Sequence, residues 1–190
     1  MKQFAFIITL CSWLLCVASS QAQAILAPPF GLEWGSSPDK LFDWADRQKL
    51  DVTIHLPGKH VNERHITIKN SDGNLPSHDA SSLEARFNQG KLYEVTLNYA
   101  DPKLKFHESK IKFNEAKRAL SAHYGTFKLS SKDRKTSRDK FVTDASSYHI
   151  EPVSGLFLMI SYTEVRDIIR NTSKATFSLI YHNDNVVRRK

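Results

Sequence analysis

The sequence predicts an α+β fold: an antiparallel sheet carrying two main helices on one face. Three observations predict it. Leu83 to Tyr99 alternates apolar and polar residues on both sides of Asn88-Gln89-Gly90, as the two arms of a half-buried hairpin do. Phe106, Phe113, Ala116, Leu120 and Tyr124 recur at helical spacing and fall within one quadrant of a helix. Further apolar or alternating runs follow at Tyr148 to Ile150, Leu156 to Tyr162 and Ala175 to Tyr181.

In chain order, Ile25 to Phe30 is a short apolar lead containing proline. Ser37-Pro38-Asp39 is a helix start: a serine able to cap, a proline suited to the first helical position, and a carboxylate at the positive end of the dipole. Leu41, Trp44 and Ala45 supply its buried face, so a helix is expected over about 38–49. Val52, Ile54 and Leu56 alternate up to a Pro57-Gly58 turn, and Ile66 and Ile68 mark a second short strand. Residues 70–82 read as a polar loop before the hairpin at Leu83 to Tyr99. The helix over 106–124 ends at Gly125, a candidate left-handed cap. Ser130 to Lys140 has no apolar period and reads as a basic loop. A strand ends near Pro152, and Leu156 to Tyr162, apolar nearly throughout, suits a well-covered central strand. Residues 164–173 fit a short helix or a loop, and Ala175 to Tyr181 makes the last strand. Helix-then-strands occurs twice, so one domain over 25–190 with halves 30–101 and 102–190 is the expected organisation.

The N-terminus reads as a signal peptide over residues 1–24. Lys2, an apolar run from Phe4 to Val17 and Ala22-Gln23-Ala24 follow the export order, and the run is shorter than the roughly 20 residues a membrane span takes. Export to the periplasm or beyond, with no transmembrane segment after cleavage, is the expectation. Both cysteines, Cys11 and Cys16, lie in the removed segment, each after a bulky leucine that does not suit lipid attachment. The mature chain then has no thiol, which excludes disulfides, thiolate catalysis and cysteine metal sites, and leaves its core to hold it together.

Phe30-Gly31-Leu32-Glu33-Trp34-Gly35-Ser36-Ser37-Pro38, the strand Leu92-Tyr93-Glu94-Val95-Thr96-Leu97 and the helix exit Tyr124-Gly125 together resemble small bacterial periplasmic domains. They are similar to the β-lactamase-inhibitor-protein-like group, which includes the BamE-like domains. That resemblance implies helices stacked on one face of an antiparallel sheet and a role in binding other proteins. The chain lacks the lipidated cysteine of such lipoproteins, so tethering does not carry over, and neither does any functional residue.

Charge is the strongest functional lead. The chain carries a formal net charge of +7, and residues 101–140, with 12 Lys/Arg against 5 Asp/Glu, account for all of it. Lys103, Lys110 and Lys117 recur every seven residues beside the apolar face of the second helix. Lys128, Lys132, Arg134, Lys135, Arg138 and Lys140 continue the field. Such a stretch attracts anions, or else serves as a solvated face that keeps the domain in solution. In an envelope compartment the fitting partner is an acidic protein or an anionic envelope component; nucleic acid is poorly matched to export. The expectation is a non-enzymatic binding or accessory module, with a purely structural secreted domain as an alternative.

Catalytic signals are weak. His107-Glu108 lacks the second histidine of a zincin, position 111 being isoleucine, and no nucleophile elbow or phosphate loop occurs. His55, His60 and His65 offer imidazoles at five-residue intervals, a spacing that suits neither one helix face nor one strand face, with Glu63 nearby. Tyr148, His149, Glu151 and His182 invite an alternative reading as a hydrolase of envelope polymers, with His149 and Glu151 as its acid–base groups. The tyrosines Tyr148 and Tyr181 are expected to point inward and turn these neighbours to water. No catalytic residue, metal site or cofactor is assigned. Trp34 and Trp44 read as core residues, Trp34 alternatively as an exposed anchor for a partner.

Overall fold

Two-residue turns and alternating burial organise the molecule, and the hairpin at its centre shows how. Gln89 and Gly90 both have positive φ, 50° and 74°, as a tight turn matched to strand twist requires. The arms on either side bury Leu83, Ala85 and Phe87 against Leu92, Val95 and Leu97, all without measurable exposure. The computed structural model describes residues 26–55, 62–100, 105–137 and 140–187. The signal-peptide segment, Leu56, the Pro57-Gly58 turn and His60 lie outside the described residues.

The elements are α1 (Pro38–Arg47), β1 (Asp51–His55), β2 (Glu63–Lys69), β3 (Ser82–Asn88), β4 (Lys91–Tyr99), α2 (Phe106–Tyr124), β5 (Lys128–Ser137), β6 (Phe141–Val153), β7 (Leu156–Asp167), β8 (Thr172–Asn183) and the single turn α3 (Asp184–Val187). All eight strands form one antiparallel sheet in the order β1-β2-β3-β4-β8-β7-β6-β5. The fold is therefore α+β, as expected.

Cross-strand partners share a face, so the register assigns each side chain to one side of the sheet. One side carries Ile66, Ile68, Leu83, Phe87, Val95, Leu97, Leu158, Ile160, Phe177 and Leu179, which join a single buried cluster. Leu41 and Ala45 of α1 and Phe113 of α2 belong to the same cluster. Trp44 stacks near Phe30 with ring centroids 4.8 Å apart, and Phe113 meets Tyr162 at 5.1 Å and Phe177 at 6.1 Å. Burying a large apolar side chain of this kind stabilises the fold by roughly 1.5–3 kcal/mol. The lead segment is tied to β4 by paired main-chain bonds, Gly35 N–H to Leu92 O and Leu92 N–H to Ser36 O, both 2.9 Å. Trp34 is half-buried against the core and donates its indole N–H to Leu26 O at 2.8 Å, so it is a packing residue.

Several expectations are corrected. The expected basic loop over 130–140 is mostly strand: β5 runs through Ser137 and pairs with β6. An edge strand with both faces wet needs no apolar alternation, because its main-chain bonds to one neighbour hold it. Residues 164–173 are neither helix nor loop but the end of β7, a turn at 168–171 and the start of β8. The apolar run in β7 is covered on one face alone: Leu156, Leu158, Ile160 and Tyr162 are buried, whereas Phe157, Met159 and Ser161 are half-exposed on the other. Tyr93 leaves the alternation because a bulge between Arg86 and Phe87 inserts it between Leu92 and Glu94. Ser37 occupies the cap position of α1 without a side-chain bond, and α1 ends at Arg47 rather than near 49. Gly125 has φ 104° and ψ −173°, an extended glycine-only conformation rather than a left-handed cap. Phe106, at the start of the apolar face of α2, stays 39% exposed.

Candidate functional site

The cations of the basic stretch come from two elements. Lys110 and Lys117 stand on α2, whose amide Lys105 N–H donates to Glu108 Oε2 at 2.7 Å and so fixes the helix start. Lys128, Lys132, Arg134 and Lys135 stand on β5, every residue of which is exposed. Lys140 lies in the turn to β6, its N–H bonded to Ser137 O at 3.0 Å and its carbonyl to Ile168 N–H at 2.8 Å. Lys103 and Arg138 lie outside the described residues.

These groups do not share one environment. The pairings Leu129↔Tyr148, Lys132↔Ser146 and Arg134↔Asp144 put Lys132 and Arg134 on the side of the sheet that carries α2. Lys128↔His149 and Lys135↔Thr143 put the other two on the opposite side. Arg134 Nε lies 3.6 Å from Asp144 Oδ1, and Lys135 Nζ 3.1 Å from Asp133 Oδ2. Among the described residues, Lys128 and Lys132 have no ion-pair partner. Lys117 differs again: its Nζ sits 3.3 Å from the centroid of the Tyr148 ring and is only half-exposed. The outward field therefore rests on β5, with Lys140 just after it and the exposed Lys110 on α2, while Lys117 is committed to packing.

The histidines are each engaged separately. His55 and His65 face each other across β1 and β2, ring centroids 4.5 Å apart and stacked. Their Nε2 atoms diverge to different partners, Thr67 Oγ1 at 2.8 Å and Glu84 Oε2 at 3.1 Å. Glu63 is not the nearby carboxylate; Glu84 of β3 is, and it also accepts from Asn98 Nδ2 at 2.9 Å. Among the described residues no group of three or more His, Asp or Glu side chains is placed to hold a metal ion. His149 Nδ1 is 2.6 Å from Ser130 Oγ at the irregularity of β5, and Glu151 Oε1 accepts the Gly155 N–H of the β6–β7 turn at 2.7 Å, so the two members of the hydrolase alternative are engaged at separate places. Tyr148 and Tyr181 pack against the core as expected, and burial pushes the Tyr181 hydroxyl up to about 12.

Sequence reasoning missed a polar row on the side of the sheet away from α1 and α2. His182 of β8 sits beside Glu94 of β4, with Nδ1 2.9 Å from Glu94 Oε2 and Nε2 2.7 Å from Asp184 Oδ1. Arg86 Nε approaches the same Glu94 at 3.3 Å. Tyr93 and Phe157 pack their rings on His182, at 5.7 and 6.2 Å. The hydrogen bond to Glu94, helped by Asp184, raises the His182 pKa although burial opposes it. The polar positions of β4 hinted at a wet face, but nothing local pairs residues 94 and 182.

Compared with known proteins, the chain matches no family model, no curated protein and no solved structure. No described helix is long and apolar enough to cross a membrane.

Proposed function

We propose that this is an exported, non-enzymatic binding or accessory domain of the cell envelope that engages an acidic partner through its basic surface. The observation that carries the reading is the fully exposed strand β5, which holds Lys128, Lys132, Arg134 and Lys135 at one edge of the sheet. Residues 101–140 hold the whole of the formal net charge of +7, so the field is concentrated instead of spread over the domain. Exposed cations of one sign raise the encounter rate with an oppositely charged surface and make binding salt-sensitive.

The likeness to the β-lactamase-inhibitor-protein-like group is part of the same proposal. Two features support a tandem repeat with both helices on one face. A helix followed by four strands occurs twice in the element order, and the two meanders meet at their last strands, β4 and β8. Leu41 and Ala45 of α1 share one buried cluster with Phe113 of α2.

The test replaces Lys128, Lys132, Arg134 and Lys135 together by serine and measures binding to envelope extract, polyglutamate and anionic vesicles at low salt and at about 0.15 M ionic strength. The wild type should bind an acidic target at low salt and lose much of that binding at the higher ionic strength. The variant should fold and bind poorly at both. Binding that is unchanged in the variant sinks the proposal.

A further inference from the structure

Resting on that reading, we infer that β5 is a strand-addition site: an acidic, extended segment of a partner protein pairs with its free edge as a ninth strand. The first observation is the edge itself. β5 closes one end of the sheet and pairs with β6 alone, leaving the main-chain donors and acceptors of its other side without a strand among the described residues. Free strand edges are templates for another extended chain. From Ser131 to Ser137 the pairing with β6 proceeds residue by residue without a shift, so the edge is regular over that length, and it contains no proline. The sheet's other edge, β1, has five residues against the ten of β5 and carries no lysine or arginine.

The second observation is the charge and its placement. β5 bears four cations and one carboxylate. Lys132 and Arg134 flank the edge on the α2 side of the sheet, and Lys128 and Lys135 flank it on the other. A ninth strand would therefore meet cations on both of its faces, which fits a run of Asp and Glu side chains better than an alternating apolar strand. Lysines on an edge are also a barrier to pairing with like chains. Here that barrier acts as a filter: two copies of β5 repel, an apolar strand leaves Lys128 and Lys132 unmatched, and an acidic segment is admitted. Main-chain hydrogen bonds would supply geometry, while the charges select the partner and speed the encounter.

The experiment uses the full domain and an acidic peptide of glutamate and threonine matched in length to β5, followed by NMR titration at low salt. Its comparators are the same peptide N-methylated at every residue, which keeps the charge but removes the donors, and vesicles of anionic phospholipid. Strand addition predicts that amides of residues 131–137 shift and become protected from exchange. It also predicts that N-methylation weakens binding by about tenfold or more, the loss of roughly one to two net hydrogen bonds. Lys132→Glu combined with Lys135→Glu, both at exposed positions, should transfer the preference to a lysine–threonine peptide. Equal binding of the parent and N-methylated peptides overturns strand addition while leaving the electropositive surface intact. Binding to vesicles but not to either peptide overturns it too. No binding to peptide or vesicle at low salt overturns the acidic-partner reading itself, and this inference with it.

Discussion

Lys117 Nζ rests 3.3 Å from the centre of the Tyr148 ring, joining α2 to β6 by a cation–π contact. The seven-residue recurrence that sets Lys117 beside Lys110 on a charged surface is real as a pattern. Its members nonetheless do different things, because Lys117 overlies the tyrosine that Phe113 packs on, with those rings 6.1 Å apart. A lysine stem over an aromatic face contributes packing as well as charge.

Lys117→Met keeps the stem and removes the charge, and it should lower stability by about 0.5–1 kcal/mol. Lys110→Ser, at an exposed position, should stay within about 0.5 kcal/mol of the wild type. Urea midpoints at constant slope make the comparison. Equal effects at the two positions would show that the Tyr148 contact contributes nothing.

Stability should depend on pH through two histidines of opposite sign. Glu94 and Asp184 raise the His182 pKa in the folded state, so its contribution is complete below the unfolded value of 6.5 and is lost as pH rises through the higher folded value. His78 lies between the rings of Phe30 and Tyr99 and accepts the Ala80 N–H on Nδ1 at 3.0 Å, and burial lowers its pKa. Its contribution is therefore lost as pH falls below 6.5 toward the lower folded value. Histidine ring resonances should titrate above 6.5 for His182 and below it for His78. His182→Gln should flatten the loss of stability on the alkaline side only. A His182 resonance that titrates at or below 6.5 refutes the coupling to Glu94.

Gly155 is held at φ 78° in the turn between β6 and β7, and a Cβ there would lie 2.6 Å from the Asn185 amide. That amide donates to Ser154 O at 3.0 Å, and Gly155 O accepts the Asp184 N–H at 2.8 Å, so the neighbour is pinned. Gly155→Ala should cost about 1–3 kcal/mol from backbone strain together with displacement of Asn185. Gly73→Ala, where a Cβ meets nothing within 4 Å, is the matched control and should change stability by no more than about 0.5 kcal/mol. Thermal melts of the two variants settle it; indistinguishable melts would contradict the geometry.

Of the apolar residues that predict α2, Phe113 alone is buried; Phe106 is 39% exposed. Phe113→Ala should cost about 3–5 kcal/mol, since it empties the space between Tyr148, Tyr162 and Phe177. Phe106→Ala should cost about 1 kcal/mol or less. Chemical denaturation of both variants checks the ratio, and comparable losses would mean that α2 is seated differently.

Much of the secondary structure is legible in the chain because its signals are local. Phe106 to Tyr124 shows a helical period, and Leu83 to Tyr99 alternates around Gln89-Gly90; both elements are where those patterns put them. The basic strand is not legible in the chain because Lys132 to Ser137 has no apolar member: an edge strand wet on both sides is specified by its neighbour's backbone, and no side-chain period records that. Tyr93 departs from the alternation for a related reason, a one-residue bulge that reverses the phase of alternation without changing composition.

The sequence by itself determined the α+β class, the concentration of charge in residues 101–140 and the apolar residues available to a core. Tertiary structure decided what those charges do. Strand register splits Lys132 and Arg134 from Lys128 and Lys135 and brings His182 to Glu94 across 88 residues of chain, and the packing of α2 on the sheet sets Lys117 over Tyr148. The physical reason is range: propensity and periodicity act over a few residues, whereas which strand lies at the edge, and what faces it, follows from the burial of the whole sheet.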